Sequence, residues 1–256
     1  MMDLKCALQV ELDSLWIKPE DMARGLGIRV SNVRNWLDPT SERLPQKFAF
    51  DWLAAQSEKL VSLTDERMND LHDSYSTFGR HFIRWYREAD LPDTEPVGLH
   101  NLASRRVADR ARHDGIDIEF VYACRSHQWI TDNIDPDTVI DTKAEFAART
   151  ESLGVTPTEI AYALGITAAS VKYWKNPKRE DMLPIDESWS FLDEYSSTLD
   201  EKIALLVQKH PNPMPYHPLT RKGSLTQKEQ IENHAARAAA EQIEFANGTS
   251  VEFVYI

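Results

Sequence analysis

The pattern of hydrophobic and polar positions occurs twice along this chain. Residues 17–39 and 155–177 align without a gap at an offset of 138, and eight of the 23 positions are identical. The identical pairs are Pro19/Pro157, Ala23/Ala161, Leu26/Leu164, Gly27/Gly165, Ile28/Ile166, Val33/Val171, Trp36/Trp174 and Pro39/Pro177. In each segment apolar residues recur at helical spacing on both sides of a glycine. The pattern predicts a helix, a tight turn at Gly27 or Gly165, and a second helix.

Each copy also ends in the same way. An Ala-rich helix is expected at 101–113 and at 234–245, and each is followed by a glycine and a short alternating segment. The alternating segments, 118–122 and 251–255, are rich in Phe, Tyr and Val and predict strands. Because a lone strand is unstable, we expect these two strands to pair antiparallel with each other and to relate the copies by a pseudo-twofold axis.

The remaining segments are less uniform. Residues 3–17 and 141–155 carry apolar residues at helical spacing and predict an opening helix in each copy. Between the helix-turn-helix segment and the end of each copy, residues 78–87 fit either a helix or a strand. Residues 211–218 hold four prolines and therefore predict an extended edge strand or a loop.

These patterns predict a mainly α fold with short terminal β-strands, built as a tandem duplication of a helix-turn-helix domain. The first copy is expected to span residues 1–123. A linker, 124–138, is expected to connect it to the second copy, 139–256. Each copy is expected to contain a helix-turn-helix, a C-terminal helix and a strand. A chain of 256 residues is long enough for two such domains.

Both repeated segments fit the helix-turn-helix pattern when Pro19 or Pro157 is counted as position 1. The pattern requires apolar residues at positions 4, 8, 10, 15 and 18, a small residue at position 5 and glycine at position 9, and each segment has all of them. On these residues the chain resembles the Cro/C1-type DNA-binding regulators, whose second helix often ends in Trp, as Asn35-Trp36 and Tyr173-Trp174 do here. The resemblance implies a five-helix domain per copy, no cofactor, and operator binding as a dimer. This chain differs from the family because it fuses two copies.

The outward positions of each second helix, together with the basic residues that follow it in copy two, are the expected DNA contacts. They are Arg29, Ser31, Arg34 and Asn35 in copy one, and Thr167, Ala169, Lys172, Tyr173, Lys175, Lys178 and Arg179 in copy two. Arginine pairs with guanine and asparagine with adenine, so copy one favours base contacts, whereas the lysines of copy two favour phosphates. Thr167 is also well placed to cap its helix. The two sets differ, which predicts an imperfect palindrome or an asymmetric site.

The net charge of −12 opposes general nucleic-acid binding. The acids collect away from the second helices, whose sequences 28–36 and 166–179 contain none. An acidic body with two basic tips is expected to depend on base contacts more than on phosphate attraction.

Several function classes are disfavoured by the sequence. No apolar run is long enough for a membrane span, and the N-terminus lacks the basic and apolar regions of a signal peptide. Cys6 and Cys124 are expected to be free thiols in a reducing cytoplasm. No metal-binding spacing, phosphate-binding loop or nucleophile motif occurs, so we expect neither an enzyme nor a metal or cofactor site.

The sequence therefore predicts a cytoplasmic, sequence-specific transcriptional regulator that binds double-stranded DNA, with repression as the expected mode. One chain, a monomer or weak dimer, would contact two half-sites in successive major grooves about 34 Å apart as a covalent pseudo-dimer. The alternative is a non-enzymatic interaction module, such as an antitoxin or adaptor, that holds a protein partner with its acidic surface. The same pattern also occurs in helices that serve only as scaffold.

Overall fold

The computed structural model describes residues 3–135, 138–219, 225–248 and 250–256. Over these residues the chain is mainly helical, with eleven α-helices and four short strands, as predicted. None of the helices in the described ranges is long and apolar enough to cross a membrane.

The order of elements is the same in the two halves of the chain, except for a 3-10 turn in the first half and one additional helix, α6, in the second. The first half contains α1 (Leu4–Ser14), α2 (Pro19–Gly25), α3 (Val30–Leu37), α4 (Lys47–Phe78), β1 (Phe82–Trp85), a 3-10 turn (Glu88–Asp90), α5 (Val97–His113) and β2 (Glu119–Tyr122). The second half contains α6 (His127–Asn133), α7 (Thr142–Ser152), α8 (Pro157–Leu164), α9 (Ala168–Trp174), α10 (Asp186–Lys209), β3 (Met214–Tyr216), α11 (Gln227–Asn247) and β4 (Phe253–Tyr255). The predicted opening helices, Ala-rich helices and terminal strands are all confirmed.

The opening helices begin at equivalent aspartates. The Asp3 carboxylate accepts hydrogen bonds from the backbone N–H groups of Lys5 and Cys6, and the Asp141 carboxylate accepts one from Ala144. Each side chain satisfies N–H groups that have no partner within the helix. The repeated aspartate therefore fixes where α1 and α7 start.

The chain forms two compact units, and each unit combines elements from both halves. The first unit consists of Met1–Ala54 and Leu192–Ile256, and the second unit consists of Ala55–Phe191. In the first unit α1 contacts β4, and in the second unit α7 contacts both β2 and α5. The helix-turn-helix of each half thus packs with the strands and Ala-rich helix of the other half. The boundaries of the two units therefore differ from those of the predicted copies, 1–123 and 139–256. Helix α6 occupies much of the predicted linker, 124–138.

The predicted antiparallel pairing of residues 118–122 with 251–255 is wrong. Instead, β1 pairs parallel with β2 and β3 pairs parallel with β4, with Trp85 opposite Tyr122 and Tyr216 opposite Tyr255. Each pair is connected through one helix, α5 or α11, as parallel pairing requires a crossover. The ambiguous segment 78–87 thus supplies strand β1, and the proline-rich segment supplies β3.

A compact apolar core supports the sheet of each unit. In the first unit the Cys6 side chain lies in a buried cluster with Met214 and Tyr216 of β3 and with alanines of α11 such as Ala239. In the second unit β1 and β2 pack against α6, and Phe82, Val121, Ile130 and Ile140 form a buried cluster. Both cysteines are free thiols, Cys6 being buried and Cys124 exposed.

Candidate nucleic-acid interface

Two helix-turn-helix segments, α2–α3 in the first unit and α8–α9 in the second, have the predicted local geometry. Pro19 and Pro157 are the first residues of α2 and α8, where a missing N–H group costs no helical hydrogen bond. Gly27 has φ +65° and Gly165 has φ +66°, so both turns use the left-handed region that favours glycine. The predicted turn is confirmed in both segments.

The inner face of each second helix is apolar and buried. Trp36 and Trp174 keep only 6% and 5% of their surface exposed, and Val33 and Val171 are fully buried. The Trp36 ring meets the edge of Phe48 with centroids 5.8 Å apart, and the Trp174 ring meets Phe146 at 5.9 Å. This packing fixes the rotation of α3 and α9 and determines which residues face outward.

The end of each second helix is held by a buried lysine. The Nζ atom of Lys5 donates to the Asp38 carbonyl at 2.6 Å, and that of Lys143 donates to the Tyr173 carbonyl at 3.1 Å. Lys5 and Lys143 are separated by the repeat offset of 138 residues. A cation is favourable at the C-terminal end of a helix, because the last carbonyl groups there have no partner within the helix. Burial lowers the pKa of Lys143.

A tyrosine from the second strand of each unit contacts the same region. The Tyr122 hydroxyl donates to the Lys175 carbonyl at 2.5 Å, and the Tyr255 hydroxyl lies 3.3 Å from the Leu37 carbonyl. Leu37 and Lys175 occupy equivalent positions just at the ends of α3 and α9. Burial raises the pKa of both tyrosines, so each hydroxyl keeps its proton and remains a donor. These lysine and tyrosine contacts were not predicted from the sequence, although Lys5 and Lys143 recur at the repeat offset.

On α3, the expected DNA contacts lie on the outer face. Arg29, Ser31 and Arg34 are exposed, and Asn35 is half-buried. Arg29 is the residue immediately before the helix, at the N-cap position. Helical spacing places Ser31, Arg34 and Asn35 on one side of α3, and Arg29 precedes its first turn.

An acidic residue that the sequence analysis missed lies beside α3. Glu20, on α2, accepts a hydrogen bond from the Arg34 guanidinium at 2.6 Å, and about half of each side chain is exposed. Partial burial acts to raise the pKa of Glu20, but the contact with Arg34 holds it below its usual value. The repeat places Thr158 at the same position of α8, so this competitor for the arginine is specific to the first unit.

On α9, Ala169, Lys172 and Tyr173 are exposed, as predicted. Thr167 caps the helix, because its hydroxyl oxygen accepts a hydrogen bond from the Ser170 N–H at 3.2 Å. The capping role that the sequence allowed for Thr167 is confirmed, and its exposed side chain still lies at the outer end of the helix.

The basic residues after α9 differ in how available they are. Lys175 forms an ion pair with Glu151 at 2.8 Å, and only 18% of its side chain is exposed. Arg179 stacks over the Tyr173 ring at 4.6 Å and lies 3.9 Å from Asp181, whereas Lys178 is exposed. The Lys175 charge is therefore largely neutralised within the protein, and Lys172 and Lys178 are the exposed lysines of this set.

Tyr162 and the α5 arginines lie outside the predicted set of DNA contacts. Tyr162 projects from α8 with 90% of its surface exposed, and Arg24 occupies the equivalent position of α2. On α5, two arginines make internal contacts: Arg105 pairs with Asp109 at 2.8 Å and Arg112 donates to the Ile118 carbonyl at 3.0 Å. Within the described ranges no group of His, Cys, Asp and Glu could hold a metal ion.

Comparisons of this chain with known protein families, with characterised proteins and with solved structures give no match.

Proposed function

We propose that this protein is a sequence-specific DNA-binding regulator whose α3 and α9 helices contact bases and phosphates. One observation carries the proposal. Both helices bury a Val and a Trp on the inner face, whereas Arg29 and Arg34 on α3 and Lys172 on α9 remain exposed. A helix held in this way presents a fixed outer face, as major-groove binding requires.

The two helices differ in what they offer to DNA. Arg29 and Arg34 carry planar guanidinium groups that match the O6 and N7 acceptors of guanine, and Asn35 matches adenine. The α9 helix offers Lys172 and the nearby Lys178, which suit phosphate oxygens. We therefore propose an asymmetric or imperfectly palindromic site in which α3 contributes most of the base discrimination. Repression would follow from occlusion of the polymerase at such a site.

A selection from random duplex DNA with the full-length chain tests this proposal. The expected result is one enriched motif containing a guanine-rich half, bound more tightly than scrambled duplexes of the same length. Binding without enrichment would contradict sequence specificity, and the absence of binding at low salt would contradict the DNA-binding function itself.

A protein-interaction module is the second candidate, and acids beside both helices favour it. Glu20 neutralises Arg34 in the first unit, and Glu151 neutralises Lys175 in the second. With a net charge of −12, this chain would then hold a basic protein partner through its acidic surface. The selection separates the two candidates, because such a module would enrich no DNA sequence.

A further inference from the structure

A pocket of about 290 Å³ lies within the second unit, where α4, β1 and α6 meet. Its walls combine acidic, basic and aromatic side chains. The residues that define its chemistry are Asp70, Asp73, Phe78, Phe82, Arg84 and His127. This volume is near the lower end for ligand pockets and suits a small molecule.

The acidic wall comes from α4. Asp70 is already bound, because it accepts a hydrogen bond from the Arg67 guanidinium at 3.1 Å. Asp73 lies one turn further along the same helix and is exposed. Among the described residues Asp73 has no ion-pair partner, so its carboxylate is available to a cationic group in the pocket.

The basic wall is the half-buried Arg84 on β1. Its Nη1 atom donates to the carbonyl groups of Tyr122 and Arg125 at 3.4 and 3.0 Å, and these contacts orient the guanidinium. No carboxylate of the described chain lies within ion-pair distance of Arg84. Burial lowers the pKa of Arg84 although the charge of Asp70 acts in the opposite direction, and a directly bound carboxylate would offset the burial further. The Arg84 charge also disfavours a purely cationic ligand, as Asp70 and Asp73 disfavour a purely anionic one.

Aromatic rings complete the pocket. Phe82 is buried, and its ring lies 5.6 Å from the Arg84 guanidinium carbon. The Phe78 ring packs against the His127 ring, with centroids 4.6 Å apart. These rings provide an apolar surface beside the two charged walls.

Part of the pocket is built from segments that have no counterpart in the other half of the chain. Helix α4 has 32 residues and α10 has 24, so α4 extends about two turns further. When α4 and α10 are aligned at an offset of 139, the last residue of α10 corresponds to Asp70, so the rest of α4 has no equivalent. Helix α6 belongs to the segment between the repeats and has no equivalent either. The additional helical turns and α6 therefore supply walls of this pocket that the repeat does not duplicate.

We propose that this pocket binds a free α-amino acid with an apolar side chain, its carboxylate on Arg84, its ammonium group on Asp73 and its side chain against Phe78 and Phe82. A zwitterion satisfies both walls, whereas a ligand with one charge satisfies only one of them. The binding site itself does not depend on the proposed DNA-binding function.

The position of Arg84 also gives this site a regulatory role, which does rest on the proposed function. The Tyr122 carbonyl accepts a hydrogen bond from Arg84. The Tyr122 hydroxyl in turn donates a hydrogen bond to the Lys175 carbonyl at the end of α9. Arg125, the other carbonyl partner of Arg84, forms an ion pair with Glu180 at 3.2 Å, shortly after α9. A ligand on Arg84 would thus act on one residue that contacts the end of α9 and on another that contacts the segment after it, and we expect it to change DNA affinity.

Calorimetric titration of the full-length chain without DNA tests the site. The probes are L-leucine and L-phenylalanine, with N-acetyl-L-leucine and L-leucinamide as blocked analogues that lack one charge each. We expect saturable binding of the free amino acids and little binding of the analogues. Asp73→Asn is expected to weaken binding about ten-fold or more, whereas Asp65→Asn, an exposed carboxylate of the same helix outside the pocket, should leave it within about two-fold.

The absence of binding at millimolar amino acid would overturn the site. Equal binding of the blocked analogues, or equal affinity of the Asp73→Asn and Asp65→Asn variants, would overturn the zwitterion assignment. Titration of the selected DNA duplex with and without the bound amino acid then tests the regulatory role, because binding at two linked sites is reciprocal. An unchanged DNA affinity would overturn that role while leaving the site itself supported by the first titration.

Discussion

At the residue scale, the contact between Arg34 and Glu20 governs how much positive charge α3 presents. The guanidinium uses Nη2 for this contact and keeps about half of its surface exposed. An exposed ion pair contributes only about 0–1 kcal/mol, so DNA can displace Glu20 from Arg34. If α3 contacts DNA as proposed, Glu20 weakens that binding without preventing it.

We predict that Glu20→Gln raises affinity for the selected duplex by about two- to five-fold, because Arg34 no longer has to leave an ion pair. Fluorescence anisotropy at fixed salt measures the effect. Glu58→Gln removes the same charge from an exposed position on α4 and serves as the control. Equal effects of the two substitutions would mean that only net charge matters and that Arg34 makes no specific contact.

The two turn glycines support a prediction about stability. A Cβ atom at Gly27 or Gly165 would meet no atom within 4 Å, so any cost of substitution arises from the positive φ alone. Gly27→Val and Gly165→Val are each expected to lower the free energy of unfolding by about 1–3 kcal/mol. Gly27→Asn and Gly165→Asn should cost less, since asparagine tolerates this region. Thermal denaturation distinguishes these cases, and equal melting temperatures for the Val and Asn variants would contradict the turn geometry.

Position within the repeated pattern was sufficient to predict which side chains of α3 and α9 face outward. It was sufficient because the buried Trp and Val positions determine the rotation of a helix. The ion pairs of Arg34 and Lys175 were not predictable in this way, because Glu20 and Glu151 belong to other helices. Their positions depend on how helices pack, which the spacing within one helix does not report.

At the element scale, periodicity predicted the helices and strands well but not their pairing. The strand residues 118–122 and 251–255 are correct as strands, yet each pairs within its own half, β1 with β2 and β3 with β4. The antiparallel prediction failed because it lacked the two partner strands. The segment 78–87 had no decisive period, and the proline-rich segment indicated only an edge strand or loop.

The tyrosines that link each sheet to a helix end give a test at this scale. Tyr122→Phe removes the donor to the Lys175 carbonyl. Tyr255→Phe removes a hydroxyl that lies 2.9 Å from Gln9 Oε1, 3.0 Å from the Lys5 carbonyl and 3.3 Å from the Leu37 carbonyl. We expect each substitution to lower the free energy of unfolding by about 1 kcal/mol. Tyr162→Phe is the control, because that side chain is 90% exposed. Chemical denaturation monitored by circular dichroism measures all three, and a loss no larger than that of the control would exclude these contacts as stabilising.

At the scale of the whole molecule, the exchange of elements between halves is the feature that periodicity missed. Helices α1–α3 pack in the first unit with β3, α11 and β4, which belong to the opposite end of the chain. Sequence similarity identifies repeats but does not show which copy of a partner element each one contacts. The duplicated pattern was therefore compatible with both the predicted division and the observed one.

This arrangement predicts how fragments behave. Residues 1–138 contain α1–α3 without the strands they pack on, and residues 139–256 contain α7–α9 in the same situation. We expect the two fragments to co-purify as a one-to-one complex with the helical content of the intact chain when they are co-expressed. Size-exclusion chromatography with light scattering measures this. Fragments that are each monomeric and melt cooperatively alone would contradict the exchanged units.

The central claim is that α3 and α9 contact DNA, and the salt dependence of binding tests it most directly. Affinity for the selected duplex should be measured from low to physiological salt for the parent chain and for Arg34→Ala, Lys172→Ala and Arg106→Ala, the last an exposed α5 control. Arg34→Ala is expected to cost about 1–3 kcal/mol and to relax discrimination at one base pair. Lys172→Ala should weaken binding to all sequences and reduce the salt slope by about one unit. If both variants bind like the parent chain and the Arg106→Ala control, α3 and α9 are not the DNA-binding helices.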